Sequence, residues 1–258
     1  MKRRIPLLLV AFVLIFSSFS DEKKSKTVWF KSTTGDGYIS MERIDGENMQ
    51  SVLKTTVNSY FGNEKLEFTT LTVTDSDKLA NASKIVFNGT IDSNMEPVEY
   101  IGERLKMKKN GIFWSFHGNY KNEITRDPEV NQFLLPNHSA VIKMPVATIP
   151  SFNVWAIVAD LPFNKEEGTF RFNSLDETKL YVRKNHVIEY MGEEMASVNG
   201  ENQTLHKFVH TGKRMKPAHY WVNSNRELVK FTLDGEFEFV MTSKEDALSR
   251  PIANISED

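Results

Sequence analysis

The sequence predicts a mainly β protein, in which a strongly curved antiparallel sheet, an open or half barrel, is wrapped around a short buried helix. Three observations predict this class: many short apolar segments separated by Gly, Asn and Asp, two segments with the pattern of β-hairpins, and one segment that is apolar on every side. The chain has 258 residues, of which 40% are hydrophobic and 26% charged. These values are ordinary for a globular protein and leave room for a large hydrophobic core.

The first hairpin is predicted around Asn110 and Gly111, which suit a type I′ turn because both central residues of that turn need positive φ. A two-residue loop then pairs Met107 with Trp114 and Leu105 with Phe116. Four large apolar side chains would share one face of this hairpin, and polar side chains would occupy the other.

A second hairpin is predicted around Asp234 and Gly235. A two-residue loop would pair Leu233 with a glutamate on the next strand. A loop with one more residue pairs apolar side chains with apolar side chains, so we favour the longer connection. The pairs it predicts are Leu233 with Phe237, Phe231 with Phe239, and Val229 with Met241. The preceding run Ala218–Val222 and a turn over residues 223–226 extend this hairpin to a three-stranded meander.

Further strands are predicted from apolar and β-branched runs between turn residues. They are Val28–Lys31, Tyr38–Arg43, Leu66–Val73, Lys84–Ile91, Thr169–Phe172, Leu180–Arg183, Val187–Met191 and Leu205–Val209. Met49–Phe61 fits a helical face about as well as a strand face, and its threonines and valines favour a strand. Asn119–Pro136 has the weakest pattern of alternating apolar residues and is predicted to be a mobile loop.

Ser151–Asp160 is apolar on every side and is predicted to be a short helix. Pro150 and Ser151 are suited to its start, and Pro162 is suited to its end. A helix without a polar face must be covered, so we expect the sheet to surround it.

Residues 1–20 have the pattern of a secretory signal peptide, with a basic start, about a dozen apolar residues and small residues before the expected cleavage after Ser20. The alternative, an uncleaved anchor, needs about 20 apolar residues to span a bilayer, and Ile5–Phe19 is shorter. We therefore expect a periplasmic or secreted protein with one β-rich domain over residues 21–250, a flexible tail over residues 251–258 and no transmembrane segment in the mature chain.

Charge and cysteine content exclude several classes of function. The mature chain carries 29 Lys and Arg residues against 34 Asp and Glu residues, so a nucleic-acid partner is not expected. The absence of cysteine excludes disulfides, thiol nucleophiles, thiolate metal sites and a lipid-modified cysteine anchor.

No catalytic or cofactor-binding motif is present, and we expect no cofactor, no metal ion and no catalytic residue. His206 and His210 would lie on one face of a strand, on either side of Phe208. Positions four apart in a strand are separated by about 13 Å, too far for both imidazoles to bind one ion without a bulge. Surface or hydrogen-bonded histidines are the favoured interpretation.

Aromatic residues make up 11% of the chain. Three adjacent pairs, Trp29–Phe30, Phe113–Trp114 and Tyr220–Trp221, would place a ring on each face of their strands. Ordinary core packing explains this pattern, and so does a sheet that lines an apolar ligand cavity on one face. The residues expected to line the interior in either case are Trp114, Phe116, Trp155, Phe170 and Phe172.

The segment His219–Met241, with a strand ending in Tyr-Trp-Val-Asn followed by Leu-Val-Lys-Phe and Glu-Phe-Glu-Phe, resembles the closing strands of periplasmic proteins similar to the LolA/LolB lipoprotein carriers. Leu161-Pro162-Phe163 and Gly168-Thr169-Phe170 resemble their step from helix to strand. The resemblance is architectural, covers about the last 110 residues and transfers no binding residue. It implies an unclosed, curved sheet around a helix, with an apolar concavity that holds an acyl chain.

We therefore expect an exported protein that binds an apolar ligand, either a lipid or a lipoprotein acyl chain. A non-enzymatic cell-envelope scaffold that contacts another envelope protein is the first alternative. An exported hydrolase, whose site is assembled from distant residues, is the second.

Overall fold

Sixteen strands pair into one continuous sheet in the computed structural model, which describes residues 25–249 except 35, 46–49, 63, 75–81, 91–96, 109–110, 120–131, 136–138 and 214. The first eight strands are β1 Ser25–Ser32, β2 Gly37–Asp45, β3 Ser51–Phe61, β4 Glu64–Thr74, β5 Ala82–Thr90, β6 Val98–Lys108, β7 Gly111–Asn119 and β8 Gln132–Leu135. The others are β9 Ser139–Met144, β10 Thr148–Pro150, β11 Phe170–Asp176, β12 Tyr181–Val198, β13 Glu201–Thr211, β14 Ala218–Val222, β15 Leu228–Leu233 and β16 Phe237–Thr242. A 3-10 turn, Ser151–Asn153, leads into helix α1, Val154–Asp160, and helix α2 is Lys244–Leu248.

The sheet is a nearly closed meander. Its order is β10-β11-β12-β13-β14-β15-β16-β1-β2-β3-β4-β5-β6-β7-β9-β8, so the last strand pairs with the first. Fifteen strands pair antiparallel with their neighbours, and the three-residue β10 adds to β11 in parallel. The sheet curves through 352°. The predicted fold class, a strongly curved antiparallel sheet around a short buried helix, is confirmed.

The two edge strands of the sheet are β10 and β8. Among the described residues, these two strands do not pair with each other. The turn that joins β9 to β10 bonds to β11: the Asn173 backbone N–H donates to the Ala147 carbonyl at 2.9 Å, and the Asn173 side chain donates to the Val146 carbonyl at 3.1 Å. These bonds extend the parallel β10–β11 pairing and do not join the two edges. The sheet is therefore nearly closed without strand pairing between its edges.

Side-chain alternation places the main core inside the curved sheet. Each of the three adjacent aromatic pairs divides as predicted: Phe30, Trp114 and Tyr220 are buried in the main core. Trp221 belongs to a separate small cluster on the opposite face. The sheet therefore carries aromatic residues on both faces, with the larger share inside.

Helix α1 lies inside the curved sheet, packed against β14 and β15. It belongs to the crossover from β10 to the parallel strand β11, a connection that needs a segment between the two strands. Val154, Trp155, Ile157 and Val158 are buried. The predicted helix, its boundaries and its position inside the curved sheet are confirmed.

The second predicted hairpin has the predicted register. Leu233 pairs with Phe237 and Phe231 with Phe239, across a three-residue connection. Asp234 and Gly235 adopt positive φ values of 52° and 70°. The segment Ser51–Phe61 is a strand, which resolves the helix–strand ambiguity for that part of Met49–Phe61.

The predicted register of the first hairpin is wrong. Met107 pairs with Ile112 and Lys108 with Gly111, so the connection precedes Gly111. A bulge at Leu105 then shifts the register, so that Trp114 lies opposite Arg104 and Phe116 opposite Gly102. Leu105 is 56% exposed. Trp114 and Phe116 are buried in this register, whereas Leu105 is not, a result that the turn residues alone do not predict.

Part of the predicted loop Asn119–Pro136 is strand β8, at the edge of the sheet. The predicted signal peptide, Met49, Ile91 and the predicted tail lie outside the described residues. Among the helices of the described segments, none has the length and apolar character needed to cross a membrane.

Candidate functional site

Of the five residues predicted to line the interior, four belong to the main core inside the curved sheet and Phe170 packs against that core. Trp114 and Phe116 project from β7, Trp155 from α1, and Phe170 and Phe172 from β11. Four of them are at most 5% exposed, whereas Phe170 is half-buried. The fold brings all five to one interior.

These residues lie on one unbroken path of ring contacts through the interior. Consecutive ring centroids on this path are 4.9–6.4 Å apart. The path runs through Trp114, Phe116, Tyr100, Phe87, Phe68, Phe152, Trp155, Phe231, Tyr220, His210, Phe172 and Phe170. Spacings of this kind are typical of packed aromatic pairs. Trp155 on α1 joins the rings of the β4–β7 side to those of the β11–β15 side.

A chain of buried polar groups accompanies this path. Trp155 forms a side-chain hydrogen bond with Tyr220, and an indole N–H can only donate. Tyr220 Oη lies 3.4 Å from His210 Nδ1. His210 Nε2 lies 2.8 Å from His186 Nδ1. The chain therefore links α1 to β14, β13 and β12 inside an apolar core.

Both imidazoles of this chain are held neutral. His186 is 3% exposed and His210 is 6% exposed. Burial, reinforced by the Arg183 charge, lowers the pKa of His186. Burial, reinforced by His186, lowers the pKa of His210 to about 3. Burial also raises the pKa of the Tyr220 hydroxyl, so the whole chain is uncharged at neutral pH.

Glu177 is a fully buried carboxyl group at the entry to α1. It accepts hydrogen bonds from the Ser151 backbone N–H at 2.8 Å and from the Ser151 hydroxyl at 2.5 Å. The Tyr100 hydroxyl donates to the Glu177 carbonyl at 2.6 Å. Burial raises the pKa of Glu177 to about 8 in spite of these bonds. Glu177 thus anchors the start of the helix and connects it to β6.

Sequence reasoning missed His186 and Glu177 as members of the interior. His206 and His210 do lie on one face of β13, on either side of Phe208, as predicted. The partners of the two histidines are different: His210 meets His186, and His206 meets Tyr190, with 3.0 Å between Tyr190 Oη and His206 Nδ1. A helical or strand period cannot indicate such pairs, because they form between neighbouring strands whose register is set by the whole sheet.

The described residues contain no group of three or more side chains suited to binding a metal ion. His206 Nδ1 lies 3.7 Å from Glu193 Oε1. This separation exceeds the roughly 3 Å over which acid–base catalysis transfers a proton. The Glu193 side chain is also 59% exposed, which is typical of a solvated charge.

Two shallow grooves lie on the outer side of the sheet and share Thr27 and Trp29. One, of about 280 Å³, also contains Tyr38 and Lys54. The other, of about 340 Å³, contains Asn199, Glu227 and residues of β1 and β16. None of the five predicted residues lines these two grooves, so the predicted site and the outer grooves are separate features.

No protein-family model, no curated protein and no solved structure matches this chain.

Proposed function

We propose that this protein is an exported binder of an apolar ligand, a lipid or the acyl chain of a lipoprotein, held inside the curved sheet. One observation carries the proposal: the sheet curves through 352° around an apolar interior, yet its edge strands β10 and β8 do not pair with each other among the described residues. A sheet of this shape can admit a ligand between its edges or past its helix, whereas a closed barrel of similar strands cannot open without losing ladder bonds.

Helix α1 is the element that a ligand would displace. It lies within the sheet and packs on β14 and β15, and its rings bridge the two halves of the aromatic path. Displacing it would expose ring faces on both sides of the interior. The architectural resemblance to the LolA/LolB-like carriers favours the same arrangement of sheet, helix and acyl chain.

Native mass spectrometry tests the proposal directly. The mature chain, residues 21–258, is purified without detergent from a host that exports it. We expect an adduct of several hundred daltons that organic solvent releases and that proves to be a lipid. A bare mass that stays bare after fatty acids and phospholipids are added would contradict the proposal.

The four tryptophans locate the ligand, because Trp114 and Trp155 lie inside the sheet whereas Trp29 and Trp221 lie outside the main core. Bromine quenches indole fluorescence on contact. In the double variant Trp29→Phe/Trp221→Phe, dibromostearate should quench the remaining inner pair. In the matched variant Trp114→Phe/Trp155→Phe, the outer pair should keep its emission.

Unbrominated stearate is the control for both variants, and thermal melts establish that both are folded. Quenching of the outer pair alone would place the lipid outside the sheet. Equal quenching in both variants would show no preference for the interior. Either result would overturn the proposed site.

A second candidate function, a non-enzymatic envelope scaffold, is favoured by apolar side chains on the outer surface of β12. Met191 is 55% exposed and Met195 is 64% exposed. Methionines of this kind suit adaptable contacts with a protein partner. If the protein is a scaffold, native mass spectrometry should show the protein without an adduct. The double variant Met191→Lys/Met195→Lys should then no longer capture an envelope protein that the unaltered chain captures.

A further inference from the structure

We infer that His186 Nε2–H recognises the carboxylate head of a long-chain fatty acid, which deepens the proposed function and rests on it. The starting observation is an unpartnered atom. His186 Nε2 is buried and has no hydrogen-bond partner among the described residues. A buried polar atom without a partner costs free energy, and its position between two aromatic segments of the interior makes it a candidate for ligand contact.

The hydrogen-bond chain determines which tautomer His186 adopts. If the Tyr220 hydroxyl donates to His210 Nδ1, then His210 carries its proton on Nε2. That proton is donated to His186 Nδ1, so His186 carries its own proton on Nε2. In this arrangement a single donor, His186 Nε2–H, is left over.

The opposite arrangement is poorer. If His186 donated to His210, then His210 Nδ1–H would donate to Tyr220, and the Tyr220 proton and the His186 Nε2 lone pair would both lack partners in this chain. Two unpartnered buried groups cost more than one. The network therefore presents a donor to the interior, and a donor selects an acceptor as its ligand.

The surroundings of His186 favour an anionic acceptor. Phe172 packs 5.5 Å from the His186 ring, measured between centroids, and the half-buried Phe170 stacks on Phe172. The groups facing the pair are Arg183, Tyr220 and Phe172, and the Arg183 charge disfavours a proton on His186. Asp176 is engaged by Arg183 at 2.9 Å. An aromatic lining beside an uncharged donor suits an apolar chain that ends in a carboxylate, which accepts the hydrogen bond.

Gly212 packs directly against the His186 ring, where no larger residue would fit. A Cβ atom at residue 212 would lie 2.7–2.9 Å from three atoms of the His186 ring. The glycine lets the backbone after β13 approach the imidazole face closely. The ring is thereby held in place with Gly212 against one face, so a ligand would meet Nε2 in the plane of the ring.

The test compares palmitate with 1-hexadecanol, which has the same chain length and no carboxylate. We expect the mature protein to bind palmitate about ten- to a hundredfold more tightly, which is the range for a hydrogen bond to a charged group. His186→Phe, which keeps a ring but removes the donor, should abolish this preference. His219→Phe, which removes an imidazole on the outer face of the same sheet, should keep it.

The unaltered protein supplies a second measurement, so the test does not depend on a variant that folds. The carboxyl resonance of [1-¹³C]palmitate should shift on binding to a value unlike that of the free carboxylate in water. Equal binding of palmitate and hexadecanol, with an unshifted resonance, would overturn head-group recognition and leave the apolar-binding proposal standing. Failure of both ligands to bind would overturn the two together.

Discussion

At the scale of single residues, the interior contains two neutral titratable sites that anchor one helix. Glu177 binds the start of α1 through Ser151, and the His186–His210 pair reaches the helix through Tyr220 and Trp155. The titratable groups among them are buried, so each favours its uncharged form. The helix is therefore held by bonds whose strength depends on pH.

Glu177→Gln tests the acidic anchor. Because burial raises the pKa of Glu177 to about 8 from an ordinary 4.5, the folded state binds more protons than the unfolded state between these values. The free energy of unfolding should therefore fall as pH rises through this window, by up to about 1.4 kcal/mol per pH unit. The glutamine variant should lose this slope and be the more stable protein at pH 9.

Urea unfolding of both proteins between pH 5 and pH 9 measures the slope. Glu167→Gln, at an exposed carboxylate in the loop after α1, is the control and should leave the slope unchanged. Parallel pH profiles for Glu177→Gln and the unaltered protein would show that Glu177 is not protonated in the fold.

At the scale of elements, the β6–β7 hairpin shows how a bulge changes which side chains are buried. Turn chemistry predicted that Leu105 packs against Phe116, but the bulge turns Leu105 outward and sets Gly102 against Phe116. A Cβ atom at Gly102 would lie 2.4 Å from the Phe116 ring. The ring occupies the space that the glycine leaves open.

The two registers predict opposite results for Leu105→Ser. With Leu105 at 56% exposure, the free energy of unfolding should change by less than about 0.5 kcal/mol. The matched substitution Phe116→Leu, at a fully buried side chain, should cost about 1–3 kcal/mol. Chemical denaturation distinguishes them, and a loss of several kcal/mol for Leu105→Ser would restore the register predicted from the turn.

At the scale of the whole molecule, the chain of polar groups couples four elements. His186 lies on β12, His210 on β13, Tyr220 on β14 and Trp155 on α1. A charge placed on this chain must disturb the helix and three strands together. Acid should therefore weaken the whole fold and not one loop.

The double variant His186→Phe/His210→Phe tests this coupling. Burial lowers both histidine pKa values from 6.5, so their contribution to stability is present above pH 6.5 and is lost as pH falls from 6.5 toward about 3. The double variant, in which both partners are apolar, should show a shallower loss of thermal stability between pH 6.5 and pH 4. The control His117→Phe, at an exposed histidine, should keep the pH profile of thermal stability seen in the unaltered protein. If the double variant also kept that profile, the His186–His210 pair would not control acid stability.

Several features were predictable from the sequence because they depend on local order. Alternation of apolar residues indicated the strands, the run of apolar residues from Ser151 indicated α1, and matching of apolar pairs indicated the register of the β15–β16 hairpin. The five predicted interior residues are in the interior because inward-facing positions follow from alternation along a strand and from burial of an apolar helix.

Other features were decided by the tertiary structure. The Leu105 bulge depends on how β7 pairs with both β6 and β9. The His186–His210 pair joins residues 24 positions apart, and the bond between Ser151 and Glu177 joins residues 26 positions apart. Local patterns report which residues face inward, whereas only the closing of the sheet determines which inward residues meet, because that depends on the register and curvature of all its strands.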